Sequence, residues 1–154
     1  MGTEIERKFL VTDHSWREQG MSTVIRQGYL STVKERTVRV RAAGDEGTFT
    51  IKGITVGASR TEFEYEIPVE DANTMLDELC EQPIIAKTRH VVEVDGTIWE
   101  IDEFGGVNEG LIVAEVELDS PDEEFTRPDW LGDEVTDDPR YFNANLIAHP
   151  YTEW

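Results

Sequence analysis

The sequence predicts a mainly β (α+β) protein with a single domain over residues 1–154, folded as an antiparallel sandwich or a closed barrel. Apolar and polar residues alternate along most of the chain, which is typical of strands with one buried face. Short turn sequences such as Asp95-Gly96 separate the alternating runs, and Asp-Gly is a strong hairpin signal. A chain of 154 residues is long enough to bury a core without disulfides.

Eight strands follow from the alternation, each with one apolar and one polar face. Their approximate ranges are 3–12, 23–33, 36–43, 47–54, 59–69, 85–94, 97–104 and 111–118. Glycine-containing turns are predicted at 43–47, 95–96 and 105–106. Short connections of this kind join antiparallel neighbours.

Helical periodicity occurs in two segments, both outside the strands. In 71–81 the apolar residues recur at helical spacing, and Pro83 ends the pattern. In 140–148 the same spacing precedes Pro150. The acidic segment 120–139 is predicted to be a solvated loop.

The charge balance limits the partners that the protein is expected to bind. The chain has 14 Lys and Arg residues against 33 Asp and Glu residues, a formal net charge of −19. Such a surface repels nucleic acid and anionic membranes unless basic groups are gathered in one place, so neither is expected as a partner. The one cysteine, Cys80, excludes an intramolecular disulfide and is predicted to be buried. No apolar run approaches about 18 residues, and the N-terminus is charged, so a cytoplasmic protein is expected.

Charged residues occupy one face of nearly every predicted strand and are sorted by sign. The like-charged pairs are Arg39 with Arg41, Lys87 with Arg89, Glu4 with Glu6, and Glu115 with Glu117. A solvated sheet face explains any single pair, but like charges two residues apart repel unless opposite charge lies between them. Basic strands that face acidic strands would bind a polyanion together with its divalent metal ions.

The residue types suit a phosphate ligand and a hard metal ion. Arginine offers phosphate a two-pronged fork and lysine a point charge, while Mg²⁺ or Mn²⁺ prefers carboxylate oxygen. Three histidines and one cysteine do not support a zinc site, and His90 lies on the opposite face from Lys87 and is predicted to be structural. The chain has neither a Walker-type glycine loop nor a Gly-x-Ser-x-Gly elbow.

An ordered set of motifs carries a family resemblance over essentially the whole chain. It begins with Glu4-Ile5-Glu6-Arg7-Lys8, a Glu-x-Glu-x-Lys signature. It continues through Gln27-Gly28-Tyr29-Leu30, Val38-Arg39-Val40-Arg41, Thr50-Ile51-Lys52, Arg60-Thr61-Glu62-Phe63-Glu64, Lys87-Thr88-Arg89, Trp99-Glu100-Ile101-Asp102, Glu115-Val116-Glu117 and Arg140-Tyr141-Phe142-Asn143. The sequence resembles the CYTH superfamily, also called triphosphate tunnel metalloenzymes.

The resemblance implies an eight-stranded antiparallel β-barrel that forms a tunnel, with charged faces inward and a few helices packed outside. It implies metal-binding carboxylates at Glu4, Glu6, Asp102, Glu115 and Glu117. It implies triphosphate contacts at Lys8, Arg39, Arg41, Lys52, Lys87, Arg89 and Arg140. Glu62 and Glu64 match carboxylates that orient the basic residues or a second metal ion.

A proton-handling pair is a further hypothesis. Lys87 lies among other cations, which would lower the pKa of its amine. It would then work with Tyr29 of the Gln-Gly-Tyr-Leu motif. The alternative is that Tyr29 only packs or donates a hydrogen bond inside the barrel.

The resemblance to compact bacterial members implies hydrolysis of inorganic triphosphate to pyrophosphate and phosphate, with Mg²⁺ or Mn²⁺ as cofactor. A class IV adenylyl cyclase, a thiamine triphosphatase and a polyphosphate-binding module without turnover are the alternatives. An RNA triphosphatase is disfavoured by the net charge. The expected partner is a small polyphosphate or triphosphate, and a homodimer is also compatible with the sequence.

Overall fold

The computed structural model describes residues 2–57 and 59–154, with side chains for 5–57, 59–143 and 145–154. The described residues include nine strands, and each pairs antiparallel with its neighbours. They are β1 Gly2–Val11, β2 Met21–Ser31, β3 Thr37–Ala43, β4 Glu46–Lys52, β5 Ser59–Ile67, β6 Ile85–Val94, β7 Thr97–Phe104, β8 Ile112–Glu117 and β9 Leu131–Glu134. The strand order is β5-β4-β3-β2-β6-β7-β8-β1-β9.

The sheet closes on itself because β1 also pairs with β5. One edge of β1 is divided between two partners: Ile5 lies opposite Ser59 on β5, and Phe9 opposite Glu134 on β9. The other edge of β1 pairs with β8. The result is the closed eight-stranded antiparallel barrel that the family resemblance implies, with one additional short strand.

The additional strand β9 lies in the segment 120–139, where the prediction of a solvated loop holds for the exposed residues 120–124 but was wrong for 131–134. Trp130 beside it is 3% exposed, and its ring lies 5.5 Å from that of Trp99. Arg7 on β1 donates to Glu134 through Nε at 2.8 Å. Aromatic burial and this ion pair therefore hold part of an acidic segment against the barrel.

Helices cover the outside of the barrel. The helix α1, Val69–Glu78, packs Ala72 and Leu76 against Val40 of β3. Gly28 allows the close approach, because a Cβ there would lie 3.1 Å from the Leu76 side chain. Cys80 is buried, as predicted. None of the helices in the described ranges is long and apolar enough to cross a membrane.

The C-terminal segment closes part of the barrel. The predicted helix 140–148 divides into a 3₁₀ turn, Pro139–Tyr141, and a helix α2, Asn143–Ala148. Leu146 of α2 belongs to a buried cluster with Tyr29 and Phe104, whose side chains lie on the interior side of their strands.

The main apolar core lies outside the barrel wall. The outward faces of β1, β6, β7 and β8 form one cluster with Trp16 and Trp130. Because the apolar side chains are buried there, the interior of the barrel is free to hold polar and charged groups. Apart from the cluster around Leu146, the alternation along the strands therefore places apolar packing outside the barrel and charged groups inside it.

Candidate active site

A cavity of about 1000 Å³ occupies the interior of the barrel. Its wall combines cationic and anionic side chains, as the sequence predicts for the inward faces. The predicted residues that line it are Glu6, Lys8, Tyr29, Arg39, Arg41, Lys52, Glu62, Glu64, Arg89, Glu115 and Glu117. The side chain of Glu4 lies outside the described residues.

A buried carboxylate, Asp102, organises two of the predicted cations. Its Oδ2 accepts a hydrogen bond from Lys87 Nζ at 2.7 Å, and its Oδ1 accepts one from Arg89 Nε at 2.8 Å. Arg89 Nη2 also donates to Oδ2, at 2.9 Å. Burial opposes the charged form of Asp102, but Lys87 and Arg89 together hold the pKa of its carboxyl well below its usual range.

This geometry changes the expectation for Asp102, which was predicted as a metal ligand. Asp102 is 1% exposed and is not among the residues that line the cavity. Both of its oxygens bind cationic side chains. The sequence places Asp102 on the correct face of β7 but does not reveal which partner occupies its oxygens.

Lys87 is fully buried behind the cavity wall. Burial lowers the pKa of its amine to about 8, the positive charges of Arg89 and Arg41 add to this effect, and Asp102 opposes it. Lys87 lies opposite Ile25 on β2, so Tyr29 is further along that strand. The structure pairs Lys87 with Asp102 rather than with Tyr29.

Lys8 lies where β1 meets β8. Its Nζ is 3.9 Å from Glu115 Oε1 and 5.7 Å from the centre of the Phe142 ring. Burial disfavours the charged amine, but Glu115 and Glu6 outweigh it and raise the pKa of Lys8. Lys8 therefore stays charged in the cavity wall.

The carboxylates face one another across strand pairs. Glu6 lies directly opposite Glu117, and Glu100 directly opposite Glu115. Like charges in such positions are destabilising unless a cation lies between them. Among the described side chains, no three Asp, Glu, His or Cys groups converge closely enough to hold a metal ion unaided. The carboxylates fit an ion that keeps few protein ligands and takes others from phosphate and water, as Mg²⁺ does.

The basic side of the cavity is built on β3 and β4. Arg41 donates from Nε and Nη2 to Oε1 of Gln27, at 3.0 and 2.8 Å. Arg39 donates from Nη2 to Thr50 at 3.4 Å. Lys52 Nζ is 3.7 Å from Glu62 Oε2. Burial, together with the positive charges of Arg39 and Arg89, lowers the pKa of Arg41 to about 10.

Arg140, predicted as a triphosphate contact, lies elsewhere. Its side chain is 61% exposed, donates to Asp138 at 2.8 Å and lies over the Trp154 ring at 5.0 Å. It is not part of the cavity wall. His90 contacts Trp16 and Glu103 on the outer face, in agreement with its predicted structural role.

Some residues of the cavity wall were not assigned from the sequence. Glu100 accepts a hydrogen bond from Arg89 Nη1 at 3.2 Å, and it lies on the same face of β7 as Asp102. Phe142 and Asn143 reach the cavity from the C-terminal segment, which the alternation of the strands could not place. The alternation of side chains along β7 would have been enough to identify Glu100.

The interior of the closed barrel sets cations opposite carboxylates, an arrangement suited to a polyanion accompanied by metal ions. The chain belongs to the CYTH family, because the CYTH domain model matches residues 2–151. It is 49% identical over 151 residues to a protein of Acetivibrio thermocellus named inorganic triphosphatase, covering 98% of this chain and 97% of that protein. It is 40% identical over 148 residues to a protein of Nitrosomonas europaea of the same name, covering 94% and 96% of the two chains. The crystal structure of an inorganic triphosphatase matches with a TM-score of 0.68 and 37% identity, covering 94% and 97%.

Proposed function

We propose that this protein is a divalent-metal-dependent inorganic triphosphatase, which hydrolyses tripolyphosphate to pyrophosphate and phosphate inside the tunnel. The observation that carries the proposal is the cavity itself, where basic strands oppose acidic strands. Relatives named inorganic triphosphatase, similar over nearly the whole chain, support it.

The substrate would be bound by the cationic residues of the wall: Lys8, Arg39, Arg41, Lys52 and Arg89. Several cations are needed because a triphosphate carries several negative charges, and the arginine forks fix the orientation of phosphoryl groups. Water adds to the terminal phosphorus, the anhydride P–O bond breaks, and pyrophosphate leaves. Positioning and electrostatic stabilisation supply most of the rate enhancement in such reactions.

A metal ion would be held by Glu6, Glu115 and Glu117, with Glu4 as the further ligand that the sequence predicts. Mg²⁺ and Mn²⁺ suit these oxygen ligands. A bound divalent ion neutralises phosphate charge and lowers the pKa of coordinated water. We assign Asp102 to a different role, as the anion that positions Lys87 and Arg89.

Lys87 and Tyr29 remain the proposed proton-handling residues. A pKa of about 8 allows Lys87 to exchange protons near neutral pH. Tyr29 is 5% exposed and lines the cavity, so its hydroxyl can contact a bound phosphate.

An adenylyl cyclase or a thiamine triphosphatase would also need a site for the organic part of its substrate. Trp16, Trp99 and Trp130 are buried in the outer core, and Trp154 packs on Tyr141 and Tyr151. None of these four indoles lines the cavity, so none of them can stack on the base of an adenylyl cyclase substrate or on thiamine there. A binding module without turnover has no use for carboxylate pairs beside its cations.

We further infer a cytoplasmic enzyme whose partner is a small phosphate compound. The single cysteine and the net charge of −19 support this, because they favour a reducing compartment and disfavour nucleic acid and anionic membranes.

The test is phosphate release from tripolyphosphate, ATP and thiamine triphosphate, each with Mg²⁺, with Mn²⁺ and with chelator. We expect metal-dependent turnover of tripolyphosphate in preference to the others. Arg39→Ala should abolish most of the activity, whereas the control Arg17→Ala, at an exposed arginine paired with Glu103, should retain it. Formation of a cyclic nucleotide from ATP, or tight binding without turnover, would refute the proposal.

A further inference from the structure

Gln27 is a fully buried polar residue inside the barrel. It lies on β2 directly opposite Arg41 on β3. Its Oε1 accepts two hydrogen bonds from the guanidinium of Arg41, from Nε at 3.0 Å and from Nη2 at 2.8 Å. These two bonds fix the plane of the guanidinium. They also fix the orientation of the amide, because the reversed amide would point its own N–H groups at Arg41.

The amide arrangement leaves unsatisfied donors beside Arg41. Gln27 Nε2 has no hydrogen-bond partner among the described residues. Thr48 lies opposite Arg41 on its other side, and the buried Thr48 Oγ1 also has none. Buried donors without acceptors are costly, so a residue selected for packing alone would be apolar here. The amide at position 27 is therefore accounted for by the contact that it makes with Arg41.

The partner of Arg41 differs in charge from the partners of Arg89 and Lys8. Arg89 is paired with Asp102, and Lys8 lies near Glu115. Arg41 instead binds a neutral amide. A carboxylate would hold the guanidinium equally well but would cancel its charge, whereas the amide holds it and leaves the full positive charge for a ligand.

Arg41 also lies between two cavities. It lines both the main cavity and a second cavity of about 480 Å³, as Arg89 does. Asp45 and Glu46 belong to the wall of the second cavity. Arg41 therefore lies at the junction of the two spaces, where the inner end of a polyphosphate would stop before an acidic region.

We infer that Gln27 is a positioning residue, which orients Arg41 toward the innermost phosphoryl group of the polyphosphate without neutralising it. The inference rests on the proposed triphosphatase function and assigns to that function a residue that does not itself contact the substrate. This role explains why a buried position directly opposite Arg41 is occupied by an amide side chain.

Gln27→Glu tests this, because glutamate keeps the shape and the acceptor oxygen but adds a negative charge. We expect the KM for tripolyphosphate to rise tenfold or more, with a smaller fall in kcat and an unchanged or higher unfolding temperature. Gln27→Met, which keeps the volume and removes the acceptor, should also raise KM. Gln19→Glu is the matched control, since it adds the same charge at an exposed position and should leave KM and kcat unchanged.

The outcomes separate this inference from the function on which it rests. Absence of metal-dependent turnover in the wild type would refute the triphosphatase itself. An active wild type with an unchanged KM in Gln27→Glu would refute the positioning role alone. Parallel losses of activity and unfolding temperature in both Gln27 variants would also overturn it, because they would show that Gln27 acts through packing.

Discussion

Replacement of Asp102 by asparagine removes the negative charge that joins Lys87 to Arg89. Asparagine has nearly the same shape, so the change is electrostatic rather than steric. The side chains of Asp102 and Lys87 are 1% and 0% exposed, and that of Arg89 is 13% exposed, so water cannot replace the lost charge easily.

The size of the effect follows from these contacts. Removing one member of a buried ion pair costs about 3–5 kcal/mol, because the remaining charge stays buried without a partner. Here the loss leaves two cations within reach of one another, and like charges about 4 Å apart repel by about 4 kcal/mol at an effective dielectric of about 20. We therefore expect Asp102→Asn to lower the free energy of unfolding by about 3–5 kcal/mol at pH 7.

Urea unfolding of both proteins between pH 7 and pH 3 measures this. The folded-state pKa of Asp102 is lowered, so its stabilisation is present above the unfolded pKa of 3.8 and is lost as the pH falls below it. The difference between the proteins should shrink at low pH. Asp95→Asn, in the exposed turn between β6 and β7, is the matched control. A loss under about 1 kcal/mol at pH 7 would refute the reasoning.

Four other outcomes are expected. Turnover should rise with pH through a midpoint near 8, if the neutral amine of Lys87 takes part, and rates measured from pH 6 to pH 10 would show a flat profile if it does not. Leu76→Ala should lower the free energy of unfolding in urea by about 2–5 kcal/mol, since Leu76 is fully buried on the inner face of α1, and a loss under about 1 kcal/mol would contradict that packing. The hydrogen bond from Arg7 lowers the pKa of Glu134 to about 2, so its stabilisation is present above about pH 4.5 and fades as the pH falls toward 2. Because Glu134 is 36% exposed, Glu134→Gln should cost only about 1 kcal/mol at pH 7, and an equal cost at pH 2.5 would exclude the ion pair as its source. Chelation should abolish turnover while circular dichroism stays unchanged, and Glu117→Gln should raise the metal concentration for half-maximal rate; an unaltered metal dependence would remove Glu117 from the ligands.

Strand positions could be predicted where alternation and turn chemistry agree. The ranges 85–94 and 97–104 match β6 and β7 at both ends, because Asp95-Gly96 defines the turn between two regular alternating runs. The same alternation predicted which face of each strand carries the charged residues, and these residues line the cavity. Closure of the sheet did not follow from alternation, since it depends on pairing between β1 and β5, and it was predicted only through the family resemblance.

The features that were missed depend on tertiary contacts. The four residues of β9 lie in an acidic segment, where composition favours a loop, but burial of Trp130 and pairing with β1 outweigh it. The alternation along β7 predicted the face on which Asp102 lies. It could not predict its partners, because these are set by the register of β6 against β7. Arg140 lies beyond the last strand, where no alternation could relate it to the interior.

The division of β1 among three partners has a consequence for how the chain folds. The nearest partner of this strand in the sequence is Ser59, opposite Ile5, and the most distant is Glu134, opposite Phe9. Contacts between residues so far apart are slow to form, because a long loop must close before any of them stabilises the chain. β1 should therefore be among the last strands to be placed in folding. Since it carries Glu6 and Lys8, the ability to bind an anion with its counter-ion should emerge only when the barrel is complete, and partly folded chains should lack it.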